Sequence, residues 1–135
     1  MLQPSNTKYR KIHRVSLKQS EKNGSLVFGI YGLKSLENGI LNSKELFAGR
    51  MAIKRGLKKS GSTWLRVYPD ICVTSKKSGG RMGKGKGVVT GWVCGVSRGQ
   101  MIYELAGIPK ELAYKVLGIV GSKLSVKTKV VILKE

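Results

Sequence analysis

Acidic side chains are scarce in this sequence. Of its 135 residues only 7 are Asp or Glu, against 26 Lys and Arg, which gives a formal net charge of +19 at pH 7. The carboxylates are scattered, and the single histidine, His13, lies in a basic stretch. Such a pattern offers no positioned acid–base pair and no Ser/His/Asp or Cys/His set. We therefore expect no catalytic residues, and a chain that repels itself this strongly needs a polyanionic partner.

Metal-ligand clusters and long apolar runs are also missing. Cys72 and Cys94 are far apart, and with His13 they are too few for a zinc site. We expect reduced, buried thiols, with a disulfide as the minor alternative, and no metal or cofactor. The apolar runs are too short to span a membrane, and the start MLQPSNTKYRKIHR is too polar for a secretory signal. The sequence predicts neither a membrane nor a small-molecule substrate as partner.

The cations are concentrated in three segments. Six fall before position 23, six between positions 44 and 59, and five between positions 76 and 86. Clustered Lys and Arg on a globular chain are typical of nucleic-acid-binding proteins. Residues 1–22 lack hydrophobic periodicity, so we predict an extended basic arm that becomes ordered only on its polyanionic partner.

The rest of the pattern predicts one α+β domain over residues 1–135 with an antiparallel or mixed sheet. We expect a strand in SLVFGIYGLKSL with a bulge or bend at Gly29 and Gly32, and a strand in TWLRVYP that ends at Pro69. VVTGWVCGV and QMIYEL should form a hairpin around SRG. SVKTKVVIL, which alternates apolar residues with lysines, should close the sheet.

Capping residues and spacing predict two helices. Asn42 can cap the first, with Glu45 as the other half of a capping box. Gly49 and Gly56 weaken this helix, so close packing or a close partner must offset them. Pro109 suits the first turn of the second helix. The expected core-facing residues are Leu46, Ile53 and Leu57 in the first helix, and Leu112, Val116, Ile119 and Val120 in the second.

The segment 76–88 is the most unusual part of the chain. It contains GGRMGKGKG, in which five glycines and three cations share nine positions. The stretch matches G-x-x-x-x-G-K, but Gly87 stands where a nucleotide-binding loop needs Ser or Thr, and a strand-like segment follows it. Glycines let the backbone approach phosphate oxygens closely, while Lys and Arg supply charge. We predict a nucleic-acid-binding loop, with a solvated surface loop as the alternative.

RNA is favoured over DNA as the partner. The sequence has no helix-turn-helix, zinc-finger or heptad pattern that would place a reading helix in a major groove. It also shows no aromatic pair of the kind that stacks single-stranded bases on the sheet of an RNA-recognition motif. We therefore expect recognition of folded RNA through its shape and phosphates. The competing hypothesis is a free nucleic-acid chaperone or nucleoid-type protein without a fixed site.

Six motifs follow one another in a specific order, namely MLQPSNTKYRKIHR, FGIYGLKSL, WLRVYPD, RMGKGKG, GWVCGVSRGQMIYELAGIP and SKLSVKT. Together they resemble the bacterial-type L16 (uL16) family of large-subunit ribosomal proteins over essentially the whole chain. The resemblance implies a β-hammerhead α+β fold and no catalytic residues. It also implies three partners: large-subunit rRNA, A-site tRNA and neighbouring ribosomal proteins. Arg81, Met82 and Gly83 would lie near the peptidyl transferase centre and the acceptor end of the tRNA.

The predicted rRNA-binding residues come from the three cationic segments and from the TWLRVYP strand. They are Lys8, Arg10, Lys11, His13, Arg14, Arg50, Lys54, Arg55, Lys58, Lys59, Arg66, Lys84 and Lys86. The TGWV…VSRGQ segment looks closer to mitochondrial members of the family, and many Lys, Asn, Ile and Ser replacements suggest an AT-rich organellar genome. We therefore predict a mitochondrial ribosome as the location, with the bacterial cytoplasm or a plastid as alternatives.

Overall fold

The computed structural model describes residues 2–13, 17 and 24–133. This part of the chain forms seven strands and two helices, numbered here in chain order. They are β1 (Tyr31–Ser35), β2 (Gly39–Asn42), α1 (Ser43–Leu57), β3 (Ser62–Leu65), β4 (Ile71–Ser75), β5 (Val88–Val96), β6 (Met101–Ala106), α2 (Lys110–Gly121) and β7 (Thr128–Ile132). The predicted α+β fold with two helices is confirmed.

The strands form two antiparallel sheets. The larger has the order β3-β6-β1-β7 and the smaller has the order β2-β5-β4. In the larger sheet Leu33 of β1 lies opposite Tyr103 of β6 on one side and Val130 of β7 on the other. In the smaller sheet Leu41 of β2 lies opposite Cys94 of β5. The hydrophobic core draws on both sheets and both helices, including Leu33, Leu41, Leu46, Ile53, Cys94, Ile102, Leu105, Val116 and Leu117.

Residues 97–100 connect the two sheets. The predicted hairpin between β5 and β6 is wrong, because β5 pairs with β2 and β4 whereas β6 pairs with β1 and β3. The turn is bonded to the end of β1 instead. Gly99 N–H donates to the Ser35 carbonyl oxygen at 2.8 Å, and Ser35 N–H donates to the Gln100 carbonyl oxygen at 2.9 Å. The chain therefore passes from the smaller sheet to the larger one at the SRG turn, where the sequence predicted a hairpin.

Two strand details also differ from the sequence prediction. β3 ends at Leu65 rather than at Pro69, although Arg66 N–H still donates to the Ile102 carbonyl oxygen at 2.9 Å. The irregularity in β1 lies between Leu33 and Lys34, where the register with β6 shifts, and not at the glycines that precede it. The predicted closing strand is present as β7, at one edge of the larger sheet.

The start of α1 agrees with the capping prediction for Asn42. Its side-chain oxygen accepts a hydrogen bond from Lys44 N–H at 3.3 Å. The Glu45 carboxylate accepts a hydrogen bond from the Ser125 hydroxyl at 3.0 Å, so this residue ties the helix to the segment before β7.

The glycines of α1 mark close contacts with the core. A Cβ atom on Gly49 would lie 2.7 Å from the Tyr103 hydroxyl oxygen, and one on Gly56 would lie 2.5 Å from a Val116 methyl group of α2. Both positions therefore need the absence of a side chain. Of the two expected explanations for these glycines, close packing or a close partner, the structure shows close packing.

In α2 the buried face is rotated from the predicted one. Ala113, Val116, Leu117 and Val120 are buried, whereas Ile119 is 47% exposed. The prediction for Ile119 is wrong because positions 113, 116, 117 and 120 share one side of the helix and position 119 lies on another. The helix follows Pro109, which has extended backbone angles at the N-cap position.

A buried carboxylate holds the turn that precedes β1. Glu104 of β6 is 0% exposed, and one of its oxygens accepts hydrogen bonds from the N–H groups of Val27, Phe28 and Gly29 at 3.2, 2.7 and 2.9 Å. The other oxygen pairs with the Arg66 guanidinium. Burial alone would raise the pKa of Glu104, but the hydrogen bonds from Phe28, Gly29, Arg66 and Val27 outweigh it and lower that pKa.

Candidate nucleic-acid interface

The glycine- and lysine-rich loop, residues 76–87, projects from the β4–β5 hairpin. The hairpin is paired from Ile71 opposite Val93 to Ser75 opposite Val88, with a register shift after Val73. Residues 76–86 are all exposed, and none of them is acidic. The loop thus presents backbone and cations to solvent from a two-stranded base.

Its backbone takes conformations that favour glycine. Gly79, Gly83 and Gly85 have φ values of 76°, 101° and 84°, and a Cβ atom at any of them would meet nothing within 4 Å. These glycines are therefore required by backbone conformation and not by internal packing. The space around the loop is free for a partner to approach.

The root of the hairpin is buried and apolar. Cys72 and Cys94 are both free and buried, and their predicted burial is confirmed. Burial raises the pKa of the Cys94 thiol to about 11, and the nearby Asp70 carboxylate adds to the effect. Within the described residues no group of three or more His, Cys, Asp and Glu could hold a metal ion.

The basic arm contacts the loop directly. Lys11 donates from its ammonium to the Lys86 carbonyl oxygen at 2.9 Å, and the Lys86 ammonium donates back to the Ile12 carbonyl oxygen. Within the loop, the Lys76 ammonium donates to the Gly83 carbonyl oxygen at 2.9 Å. The first and third cationic segments therefore meet in space and form one surface. The sequence did not predict this contact, which positions residues 11–12 on the protein itself.

The other predicted rRNA-binding residues of the arm are exposed where the structure describes them. Lys8, Arg10 and His13 are exposed, and the Arg10 carbonyl oxygen accepts a hydrogen bond from the Cys72 thiol at 3.5 Å. Arg14 lies outside the residues that the structure describes. The arm carries Leu2 against the hydrophobic core.

The second cationic segment lies on α1 and just beyond it. Arg50, Lys54 and Arg55 are exposed on the helix. Lys58 and Lys59 follow the last helical residue with φ values of 45° and 78°, so they project from a left-handed turn. The second cationic segment therefore continues beyond the end of the helix.

Arg66 has an internal partner. Its guanidinium pairs with Glu104 and lies 5.2 Å from the centre of the Phe28 ring. The side chain is 27% exposed, so part of it remains on the surface. Its main observed role is to neutralise a buried carboxylate, which the sequence did not indicate.

Sequence reasoning also missed an aromatic pair. The rings of Phe28 and Trp64 are stacked, with centroids 6.0 Å apart and planes inclined by 22°. Phe28 is 56% exposed. The available signal was the alternation of Trp64 and Arg66 along a strand, but the partner ring comes from a distant turn.

These features together define a class of protein. A small α+β scaffold carries exposed cationic segments, a glycine-rich cationic loop on a rigid hairpin and a formal charge of +19, as expected of a nucleic-acid-binding protein. In the described part of the chain, neither helix is long and apolar enough to cross a membrane.

Comparison with known proteins identifies the family. Residues 4–131 match the family described as ribosomal protein L16p/L10e. The chain is 48% identical over 132 residues to the large ribosomal subunit protein uL16 of Sinorhizobium medicae (strain WSM419), an overlap that covers 97% of this chain and 96% of that protein. Proteins of the same name from Rhizobium rhizogenes and Allorhizobium ampelinum are 48% and 47% identical over equal shares. The chain therefore belongs to the ribosomal protein L16p/L10e family.

The family assignment confirms the resemblance inferred from the sequence motifs and makes the chain a ribosomal protein. The three relatives named above are bacterial. They support the bacterial-type assignment and give no support to the mitochondrial prediction.

Proposed function

We propose that this protein is a structural constituent of the large ribosomal subunit that binds its rRNA and supports tRNA positioning at the A site. The observation that carries the proposal is the family match over residues 4–131, together with relatives that are named as large-subunit proteins. The exposed cations supply the chemistry, because Lys and Arg neutralise phosphates and position a protein on folded RNA. The role is architectural and needs no catalytic residue.

Two surfaces would hold the rRNA. One combines the arm with the loop, and the other follows α1 and its end. The cations that we assign to rRNA contact are Lys8, Arg10, Lys11, His13, Arg50, Lys54, Arg55, Lys58, Lys59 and Lys84, all of which are exposed. Arg14 belongs to the same proposal but lies outside the described residues. Arg66 and Lys86 belong to the same proposal, and their side chains are also bonded to Glu104 and to the arm backbone.

The tip of the loop would reach the tRNA. Arg81, Met82 and Gly83 lie at the part of the loop farthest along the chain from both strands, and Met82 is 92% exposed. The buried root of the hairpin supports a contact between the tip and the tRNA, because a rigid base limits the motion of the tip.

Sedimentation tests the ribosomal role against a free nucleic-acid binder. We would pass native lysate through a sucrose gradient at about 0.5 M salt, where exposed ion pairs are strongly screened, and follow the chain by mass spectrometry. A ribosomal constituent should sediment with the large subunit at one copy per particle. A free binder that neutralises about 6 to 10 phosphates loses roughly 10³ to 10⁵ in affinity between 50 and 200 mM salt, and should remain at the top.

The compartment is a separate part of the proposal. We propose the mitochondrial ribosome because of the TGWV…VSRGQ segment and the Lys-, Asn-, Ile- and Ser-rich replacements. The bacterial cytoplasm is the alternative that the bacterial relatives favour. Preparing the same gradient from purified mitochondria and from the remaining lysate decides between them, and a chain absent from the mitochondrial sample overturns only the compartment.

A further inference from the structure

The exposed ring of Phe28 stacks on the half-buried ring of Trp64, and the Arg66 guanidinium lies beside Phe28. We call this surface the aromatic platform. The two ring centroids are 6.0 Å apart, and the guanidinium carbon lies 5.2 Å from the Phe28 centroid. Phe28 is 56% exposed, and Val27 beside it is 63% exposed. Trp64 lies on β3, an edge strand of the larger sheet.

The platform is held rigidly from beneath. Glu104 is fully buried and accepts hydrogen bonds from the backbone N–H groups of Phe28 and Gly29. The same carboxylate pairs with Arg66. A Cβ atom on Gly29 would lie 2.6 Å from the Leu105 carbonyl oxygen, so the turn also lies directly on β6. The fold thus fixes a large aromatic ring in an outward position.

Cations and a cavity adjoin the rings. A cavity of about 310 Å³ is lined by Trp64 and Arg66 together with Arg50 and Tyr68. Glu104, the carboxylate that supports the platform, is 0% exposed and already paired with Arg66. An occupant of this cavity would therefore meet the Trp64 ring and two guanidinium groups, with the supporting carboxylate hidden from it.

We propose that the aromatic platform stacks an unpaired base of large-subunit rRNA, with Arg50 and Arg66 beside it to receive the sugar–phosphate backbone. The inference rests on the proposed function, since it names the RNA feature that one surface of a ribosomal protein would bind. Aromatic faces bind any base by stacking, and Arg adds cation–π attraction and phosphate contacts. A protein segment docking here would gain less from two guanidinium groups, whereas a polyanion gains directly.

Fluorescence on the full chain tests the stacking step. In a Trp92→Phe background Trp64 is the single tryptophan, and single-stranded hexaadenylate should quench its emission on binding. Phe28→Leu removes the aromatic face but keeps an apolar side chain and every backbone bond to Glu104. Loss of one stacked base should weaken hexaadenylate binding by about 5- to 150-fold. Val27→Ala is the matched control, because it alters an exposed apolar neighbour in the same turn.

A duplex RNA of equal charge should bind Phe28→Leu and the parent protein alike, since paired bases cannot reach the platform. Equal hexaadenylate affinities for Phe28→Leu and Val27→Ala would overturn the proposal. Matching thermal unfolding curves establish that both variants fold.

Crosslinking in the assembled particle separates this inference from the function on which it rests. With p-benzoylphenylalanine in place of Phe28, irradiated large subunits should yield a crosslink to an rRNA nucleotide. A crosslink to another protein overturns the base-stacking proposal and leaves the ribosomal role intact. If the parent chain does not sediment with large subunits at all, the proposed function itself fails.

Discussion

Glu104→Gln is the substitution with the largest predicted effect on stability. The carboxylate is 0% exposed and binds three backbone N–H groups and one guanidinium. Hydrogen bonds to a charged group contribute about 1.5–3 kcal/mol, against about 0.5–1.5 for neutral partners. Neutralising the acceptor therefore costs about 1 kcal/mol for each N–H group.

The ion pair adds a smaller amount. Arg66 is 27% exposed, so water compensates in part for the partner that it loses, and we count about 1 kcal/mol for that pair. The total is about 3 to 4 kcal/mol. For a chain of 135 residues this corresponds to a fall in melting temperature of about 10 °C.

Thermal and urea unfolding followed by circular dichroism measures the effect. Glu111→Gln is the control, because Glu111 is an exposed acid in the first turn of α2 and its change should cost less than about 1 kcal/mol. If the two variants unfold with equal free energies, the assignment of Glu104 as the support of residues 27–29 is refuted.

The same carboxylate predicts a pH dependence. Its pKa is lowered in the folded chain, so its stabilisation is fully present above the ordinary pKa of an unfolded Glu and is lost as pH falls through the lowered value. The stability difference between the parent protein and Glu104→Gln should therefore be constant near neutral pH and shrink in acid. A difference that grows as the pH falls would contradict the lowered pKa.

Four further results are expected. Gly49→Ala should lower the free energy of unfolding in urea by about 1 to 2 kcal/mol, because the cost of overpacking against Tyr103 exceeds the higher helix propensity of Ala. Gly118→Ala, with open space around it, should leave the stability unchanged or raise it. Cys94, with a pKa raised to about 11, should resist iodoacetamide at pH 8 until the chain is unfolded, and equal native and unfolded rates would contradict its burial. Replacing Lys54 and Lys58 together by Ala should weaken incorporation into large subunits in a salt-dependent way, measured as the occupancy of subunits in a sucrose gradient. Replacing the exposed α2 residues Lys110 and Lys115 by Ala is the control. Arg81→Ala should leave the occupancy of the large subunit unchanged but slow tRNA accommodation in single-turnover assays. Lys77→Ala, a change in the same loop, should not slow accommodation. Full occupancy with normal elongation for Arg81→Ala would contradict the assignment of Arg81 to the tRNA-facing tip.

Some features could be read from the sequence because they depend on neighbouring residues. The Asn42 cap, the apolar face of α1 and the glycine-rich loop follow from spacing within a few positions, and the structure contains all three. The need for a polyanionic partner follows from composition, since charge adds without regard to fold.

Other features depended on which distant segments meet. β5 and β6 were predicted to form a hairpin, but each pairs with strands of a different sheet, and the short turn between them does not reveal those distant partners. In the candidate site, the hydrogen bond from Lys86 to the arm backbone and the ion pair of Arg66 with a buried carboxylate were not predicted.

The charge, the loop, the helices and the family motifs follow from the amino-acid sequence alone, because each of these is local or additive. Tertiary structure alone decided that the arm lies on the loop, that Glu104 supports residues 27–29 and that Phe28 stacks on Trp64. Those contacts join positions far apart in the chain. The contacts of Glu104 form because a buried carboxylate requires hydrogen-bond donors from wherever the fold can bring them, and the spacing of residues along the sequence does not indicate which donors these will be.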